Sequence, residues 1–514
     1  MVMNMRTEEK LTRRELLKLM ALVPAAMAVQ PLGGMLNQNA DAGNPHVLIF
    51  VFDAWSAANL KLHGYHRDTM PNLTRFAERC NVYHNHFSNG SFTVPGTASL
   101  LTGLHPWNHR AVQLTASGVG RNHRDHNLFA ALSKNRTALG YAQNPYADIF
   151  LYQFEKYLNT YLPEGQFNLQ RRMLSSLPLM KNDNQMAFAS FENNIIRNGK
   201  GSSGSLYLGM ISRLMGLANY EEMRRAHLAE YPVGLPIASG IFSLDDLTDG
   251  IIDVIRGFNS PTLAYFHVYP PHEPYAPKKE FANKFTGAWT PVEKPIHPLS
   301  ITRYPNKELL LNRLRYDQYL ASWDAQFGRL LEYLDESGLL EKSIILITSD
   351  HGELFERGEV GHNTFLLSRP VVQVPLFISL PGQTTRRNIH SFTSGVDVLP
   401  TLAHLVGAEN PVWSDGQLLP GLGGEGNPGR SVYSIDAKTA SSFSSFKQYS
   451  ISLMRHGHRL IHYQYLQYSS FEFYNLDEDP EELNDLYASK PSLAMEMQEE
   501  LLQTVDEFNR PYQK

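Results

Sequence analysis

The stretch SIILITSDHGE, residues 343–353, decides how this chain is read. It opens on an apolar run, Ile344 to Ile347, and closes on Asp350-His351 before a glycine. A short run that is apolar at consecutive positions predicts a strand covered on both faces, as in the middle of a parallel sheet. Four other stretches share the texture and read as further buried parallel strands: HVLIFVFD (46–53), TALGYAQNPY (137–146), PTLAYFHVYPPHEPY (261–275) and VPLFISLPG (374–382). Helical patterns lie between them. MPNLTRFAER (70–79) lines up Met70, Leu73 and Phe76, and SLDDLTDGIIDVIRGF (243–258) opens on a serine cap and an acidic first turn. RYDQYLASWDAQFGRLLEYLDESG (315–338) is a long amphipathic helix stopped at Gly338, and DVLPTLAHLVG (397–407) is a fourth helix. Strand and helix alternating across residues 46–407 predict an α/β fold with a largely parallel central sheet flanked by helices.

Two segments depart from that rhythm. Residues 147–240 read as a helix-prone insertion with a flexible NGKGSSGS at 198–205, placed to cover a substrate site. From residue 431 the texture becomes that of antiparallel strands, in KQYSISLMRHGHRLIHYQYL (447–466) and FEFYNLDEDPEELNDLY (471–487), followed by a helix at 492–507. The expected plan is an α/β domain over 44–430 and a smaller C-terminal α+β subdomain over 431–514.

Composition narrows the function. The chain has 514 residues, 42% hydrophobic and 19% charged, which suits folded domains with a sizeable core. A net charge of −5 gives no pull toward nucleic acid. The single cysteine, Cys80, excludes an internal disulfide or a cysteine-rich zinc site and reads as a small buried hydrophobe. At the N-terminus, Arg13-Arg14 precede an apolar run from Leu16 to Val29 and the small residues Ala26-Met27-Ala28. Residues 1–43 resemble a twin-arginine export signal and linker. That implies the twin-arginine export machinery as a partner and a periplasmic or extracellular location. The apolar run falls short of the ~20 residues that span a bilayer, so no integral membrane span is expected.

In an open α/β sheet, ligands bind at the carboxyl ends of the strands. Two strands here end in an acid, Asp53 and Asp350, and His351 follows the second. A lone aspartate at such a place commonly caps a helix or forms a turn. Two at one sheet edge, with an imidazole beside them, also make a ligand set for one divalent metal ion, whether Mn²⁺, Mg²⁺, Ca²⁺ or Zn²⁺.

The order of motifs resembles the sulfatase family within the alkaline phosphatase superfamily. The segments that carry the likeness are HVLIFVFDAWSAANLKLHGYHRDTMPNLTRFAE, TVPGTASLLTG, HVYPPHEPY, GLLEKSIILITSDHGELFERGEVGHNTFLL, DVLPTLAHLVGAENPVWSDGQLLPGL and FEFYNLDEDPEELNDL. The resemblance implies that Thr93 is both the attacking hydroxyl and a metal ligand, beside Asp53, Asp350 and His351. It implies that His272 binds the substrate anion or protonates the leaving oxygen, and that His362 binds the transferred group or assists as acid or base. His267 is a weaker candidate.

The departures bear on substrate. Sulfatases of the family oxidise a cysteine or serine to formylglycine at the position held here by Thr93, which cannot yield that aldehyde. The arginine position is Thr97, the second acid after the first strand is Ala54, and a Lys-x-His segment is replaced by Gln143-Asn144-Pro145. The expectation is therefore an exported, metal-dependent hydrolase or transferase acting on phosphoric esters, of a small molecule, glycan or lipid headgroup, through a threonine nucleophile. The alternatives are a sulfuric ester hydrolase working without formylglycine, and a non-catalytic relative that binds anionic glycans.

Overall fold

The computed structural model describes residues 44–114, 118–169, 222–238, 240–287 and 289–513. The export-signal segment and most of the 147–240 segment, including NGKGSSGS, lie outside the described residues.

Eight strands form the central sheet: β1 (His46–Phe52), β2 (Asn81–Tyr83), β3 (Thr137–Ala142), β4 (Thr160–Leu162), β5 (Thr262–Val268), β6 (Ser343–Ser349), β7 (Leu376–Ser379) and β8 (Arg387–Ile389). Their order across the sheet is β8-β2-β7-β6-β1-β5-β3-β4. β1 sits in the middle, parallel to β5 and β6, and β5, β3 and β4 continue in parallel. β7 is antiparallel to both β6 and β2. This corrects the sequence reading of 374–382 as one more parallel strand: an apolar run reports burial on two faces and carries no information about direction. The segment read as a helix-prone insertion also contributes β4, a three-residue edge strand paired with β3.

The strands alternate their side chains between two cores. Leu48, Phe50 and Phe52 of β1 enter one, and Val47, Ile49 and Val51 enter the other. Burying one such side chain is worth about 1.5–3 kcal/mol, so a register slip, which would exchange the faces, is strongly disfavoured. Helix α1 (Thr93–Thr102) packs on the second core through Val94, Ala98, Leu100 and Leu101. Helix α2 (Leu244–Arg256) covers the first with Leu247, Ile251 and Ile255, and its cap Ser243 accepts from the Asp246 N–H at 3.0 Å. Helix α3 (Asn306–Glu336) joins it with Tyr316, Leu320, Trp323, Phe327 and Leu330. No helix among the described residues is long and apolar enough to cross a membrane.

A second sheet is antiparallel and ordered as in sequence: β9 (Val432–Asp436), β10 (Tyr449–Arg455), β11 (His458–Tyr465) and β12 (Tyr468–Asn475). Helix α4 (Ser492–Asn509) packs on it through Ala494, Met497 and Leu501. β9 docks beside the segment before α1: the Ile435 N–H donates to Asn89 O at 2.9 Å, and Ser434 Oγ to Ser88 O at 2.5 Å.

Candidate active site

The site is built where β1 and β6 end side by side. Ser349 Oγ donates to Phe52 O at 2.5 Å, tying the two strand ends together. Asp53 and Asp350 follow directly, both buried. Ala54 then takes φ 60, a conformation few non-glycine residues adopt, and its N–H faces Asp350 Oδ1 at 3.4 Å. The His351 N–H donates to the same oxygen at 3.0 Å.

α1 brings Thr93 to this edge. Phe92 is extended at the N-cap, Pro95 lies within the first turn where no hydrogen bond is lost, and Gly103 at φ 68 ends the helix. The helix approaches the acids closely: a Cβ on Gly96 would stand 2.0 Å from the Asp350 carbonyl oxygen. Ser88 Oγ also donates to that carbonyl.

The four side chains singled out in the sequence converge. Thr93 Oγ1 is 3.4 Å from His351 Nε2. His351 Nε2 is 3.4 Å from Asp53 Oδ1 and 3.6 Å from Asp350 Oδ2. One ligand atom from each of Asp53, Asp350 and His351 lies within 4.8 Å of the others. Two of those atoms, Asp53 Oδ1 and Asp350 Oδ2, are buried and accept no hydrogen bond. A buried carboxylate oxygen without a donor is costly, and a shared cation removes the cost. His351 Nδ1 is 2.9 Å from Gly352 O, to which it donates, and this contact aims Nε2 at the acids. Burial pulls the His351 imidazole down, but the charges of Asp350 and Asp53 outweigh it and push it up to about 9. Burial and the Asp53 charge raise Asp350, whereas Asp53, despite its burial, is held low by His272, His267 and His351. Two carboxylates, one imidazole and a hydroxyl with this negative potential fit a hard divalent cation.

Two further residues belong to the cluster. His267 Nε2 is 3.3 Å from Asp53 Oδ2 and 3.6 Å from Asp350 Oδ2, with Tyr265 OH at 3.2 Å from its Nδ1. The sequence reading ranked it behind His272. The signal was its place: a polar residue opposite Val51, one step from the carboxyl end of a central strand. Asn144 Nδ2 donates to Asp53 Oδ2 at 2.6 Å and to Thr93 Oγ1 at 3.3 Å, while its Oδ1 caps the helix Pro145–Gln153. Asn-Pro at a strand end announces a helix start, and that capping role hid the second one.

The other two candidate histidines stand in line with His351. The ring centroids of His351 and His362 are 4.3 Å apart, and those of His362 and His272 are 4.8 Å apart. His362 Nδ1 is 3.0 Å from Glu353 Oε2, and Tyr275 OH donates to Glu353 Oε1 at 2.8 Å. His272 is partly exposed, with Nδ1 2.7 Å from Glu273 O. Thr97 and Gln143, at positions where the resemblance expects cations, are neutral and buried. A cation does arrive from β9: Lys438, whose side chain is 6% exposed, lies over the Phe92 ring at 5.3 Å.

Comparison with known proteins agrees with the fold. The sequence model of the family described as Sulfatase matches residues 45–408, and one described as N-sulphoglucosamine sulphohydrolase, C-terminal, matches 361–509. The chain is 25% identical to the multifunctional alkaline phosphatase superfamily protein PehA of Trinickia caryophylli, over 87% of this chain and 92% of that one. It is 30% identical to an N-acetylglucosamine-6-O-sulfatase of Bacteroides thetaiotaomicron over 38% of this chain and 37% of that one. Among solved structures, a phosphonate monoester hydrolase of Agrobacterium radiobacter superimposes with a TM-score of 0.64 at 20% identity, covering 90% of this chain and 96% of its own.

Proposed function

The chain belongs to the sulfatase family, and from that premise we propose that it hydrolyses or transfers phosphoric esters with Thr93 as the nucleophile. As a family member it is an ester-hydrolysing enzyme, and enzymes of this superfamily generally use a divalent metal. The observation that carries the finer reading is the placement of an unmodified threonine hydroxyl beside two buried acids with unsatisfied oxygens. The carbinol carbon of threonine bears a methyl group, so oxidation cannot give it the aldehyde on which formylglycine chemistry depends.

Asp53, Asp350, His351 and Thr93 would hold the metal. When bound, a divalent cation lowers the pKa of the Thr93 hydroxyl, whose proton leaves to solvent, and draws charge from an oxygen of the transferred group. Asn144 donates to Thr93 Oγ1 and fixes its direction. The N–H groups of the first turn of α1, which have no partner within the helix, favour negative charge at the same place. Thr93 Oγ1 bonds to phosphorus while the ester P–O bond breaks, and the leaving oxygen takes a proton from the His272 imidazolium. In the second half, water or an acceptor alcohol gives its proton to neutral His272 and displaces Thr93 from phosphorus. His362, oriented by Glu353, contacts the transferred group. We also infer export by the twin-arginine route, on the strength of Arg13-Arg14 and the apolar run that follows.

The test is turnover of bis-nitrophenyl phosphate, nitrophenyl phosphate and nitrophenyl sulfate with Mn²⁺. Phosphodiester turnover that disappears in Thr93→Ala is expected, together with a phosphoryl adduct on the peptide spanning residues 89–103. Turnover of the sulfate ester alone overturns the phosphoric ester reading in favour of a sulfuric ester hydrolase.

A further inference from the structure

We propose that the ammonium of Lys438, delivered by the C-terminal sheet, is the cation that holds the anionic group of the substrate in this site. The inference rests on the reading of the Thr93 segment as the reaction centre. Lys438 follows β9, and β9 is hydrogen-bonded beside residues 88–90. Its Nζ donates to the carbonyl of Thr364, two residues after His362, and lies over the ring of Phe92, the residue before Thr93. Lys438 therefore meets the nucleophile segment and the histidine segment together. Both places where the resemblance expects a cation carry a neutral buried side chain instead, Thr97 and Gln143.

The local chemistry leaves Lys438 with capacity to spare. An ammonium has three N–H donors. The Thr364 carbonyl takes one, and Asp436 Oδ2 stands at 2.9 Å. Asp436 is shared: its Oδ2 also accepts from Ser91 Oγ at 2.6 Å, and its Oδ1 faces the Lys438 N–H at 3.3 Å. The rings of Phe92 and Phe365, at 5.3 and 5.5 Å, accommodate a cation without discharging it. A positive charge held between two apolar faces, with one donor beyond its protein acceptors, suits an oxyanion. The sequence signal was weak because Lys438 lies in a polar stretch 345 residues from Thr93, as the numbering shows.

A purely structural clamp would use the same contacts, so the test reads opposite signs. The full chain, loaded with Mn²⁺, is titrated calorimetrically with inorganic phosphate, and bis-nitrophenyl phosphate kinetics are measured alongside thermal midpoints. Lys438→Met is expected to weaken phosphate binding about tenfold or more, as for loss of a charge-assisted hydrogen bond. KM should rise by a similar factor, with kcat less affected, and Lys438→Arg should retain most of the affinity. Asp436→Asn keeps an acceptor for Ser91 but removes the offsetting charge, so phosphate should bind more tightly. The proposal is overturned if Lys438→Met binds phosphate like wild type, or if Asp436→Asn weakens binding. Should Lys438→Met fail to fold, the sign of the Asp436→Asn change decides alone. Phosphate binding does not require attack by Thr93. An unchanged phosphate affinity in Lys438→Met therefore overturns this proposal even where Thr93→Ala has abolished turnover, and residual activity of Thr93→Ala overturns only the nucleophile reading.

Discussion

Replacing Gly96 by alanine tests the geometry of the site without touching any group that does chemistry. The added methyl would lie 2.0 Å from the Asp350 carbonyl oxygen and 2.9 Å from its carbon. Ordinary contact begins at 3.4 Å, so α1 and the turn at Asp350 must separate by about 1.4 Å, the difference between 3.4 and 2.0 Å. Both obstructing atoms are backbone, so no side-chain rotation relieves the clash. Thr93 begins the same turn of helix and moves with it, away from His351. Overpacking of this kind costs about 1–3 kcal/mol, less than the ~5–15 kcal/mol that holds a domain folded. A displacement near 1 Å between reacting groups costs roughly 10²-fold in rate. Gly96→Ala is therefore expected to fold and to lose about two orders of magnitude in kcat/KM on bis-nitrophenyl phosphate, with its circular dichroism unchanged. Gly287→Ala, where a Cβ meets nothing within 4 Å, is the control and should behave as wild type. A Gly96→Ala enzyme within about threefold of wild-type kcat/KM would show that the helix-to-acid contact does not place the nucleophile.

Other expectations follow from the same contacts. Chelation should lower the thermal midpoint and added Mn²⁺ restore it; at a hundred times Kd the ion contributes about 2.7 kcal/mol. Asp350→Asn should abolish that shift while raising the midpoint of the chelated protein, because one of two adjacent buried charges is gone. Asn144→Ala should lower kcat at least tenfold with a smaller effect on KM, since its amide orients Thr93 and Asp53 without facing bulk substrate. Away from the site, burial raises Asp324 to about 6. A folded pKa above the unfolded one stabilises fully below the unfolded value and is lost as pH rises through the folded one. Unfolding free energy measured against Asp324→Asn should therefore fall by about 2 kcal/mol between pH 4 and pH 6.

Much of this was legible in the linear chain. The apolar runs at 46–52, 262–268 and 343–349 could hardly be anything but central strands, and Asp53, Asp350 and His351 sit where such strands deliver ligands. Direction was not legible: β7 looks like its neighbours in composition and runs against β6. Nor was β4, whose three half-buried residues give no periodic signal. Within the site, Thr93, His272 and His362 could be assigned only through the likeness to a family. His267 and Asn144 were obscured because a strand histidine and a capping asparagine have ordinary structural explanations. Lys438 depends on a contact between two sheets that no local pattern encodes.

The stitching of β1 to β6 by Ser349 has a consequence for how the enzyme matures. Asp53 leaves the ribosome almost three hundred residues before Asp350, and Thr93 must wait 258 residues for His351. During that interval the early aspartate is an ordinary exposed carboxylate with no partner to help it grip an ion. Acquisition of a metal by these residues would thus be a late event, tied to closure of the middle of the sheet, and a nascent chain halted before residue 350 should emerge metal-free whatever the ionic composition around it.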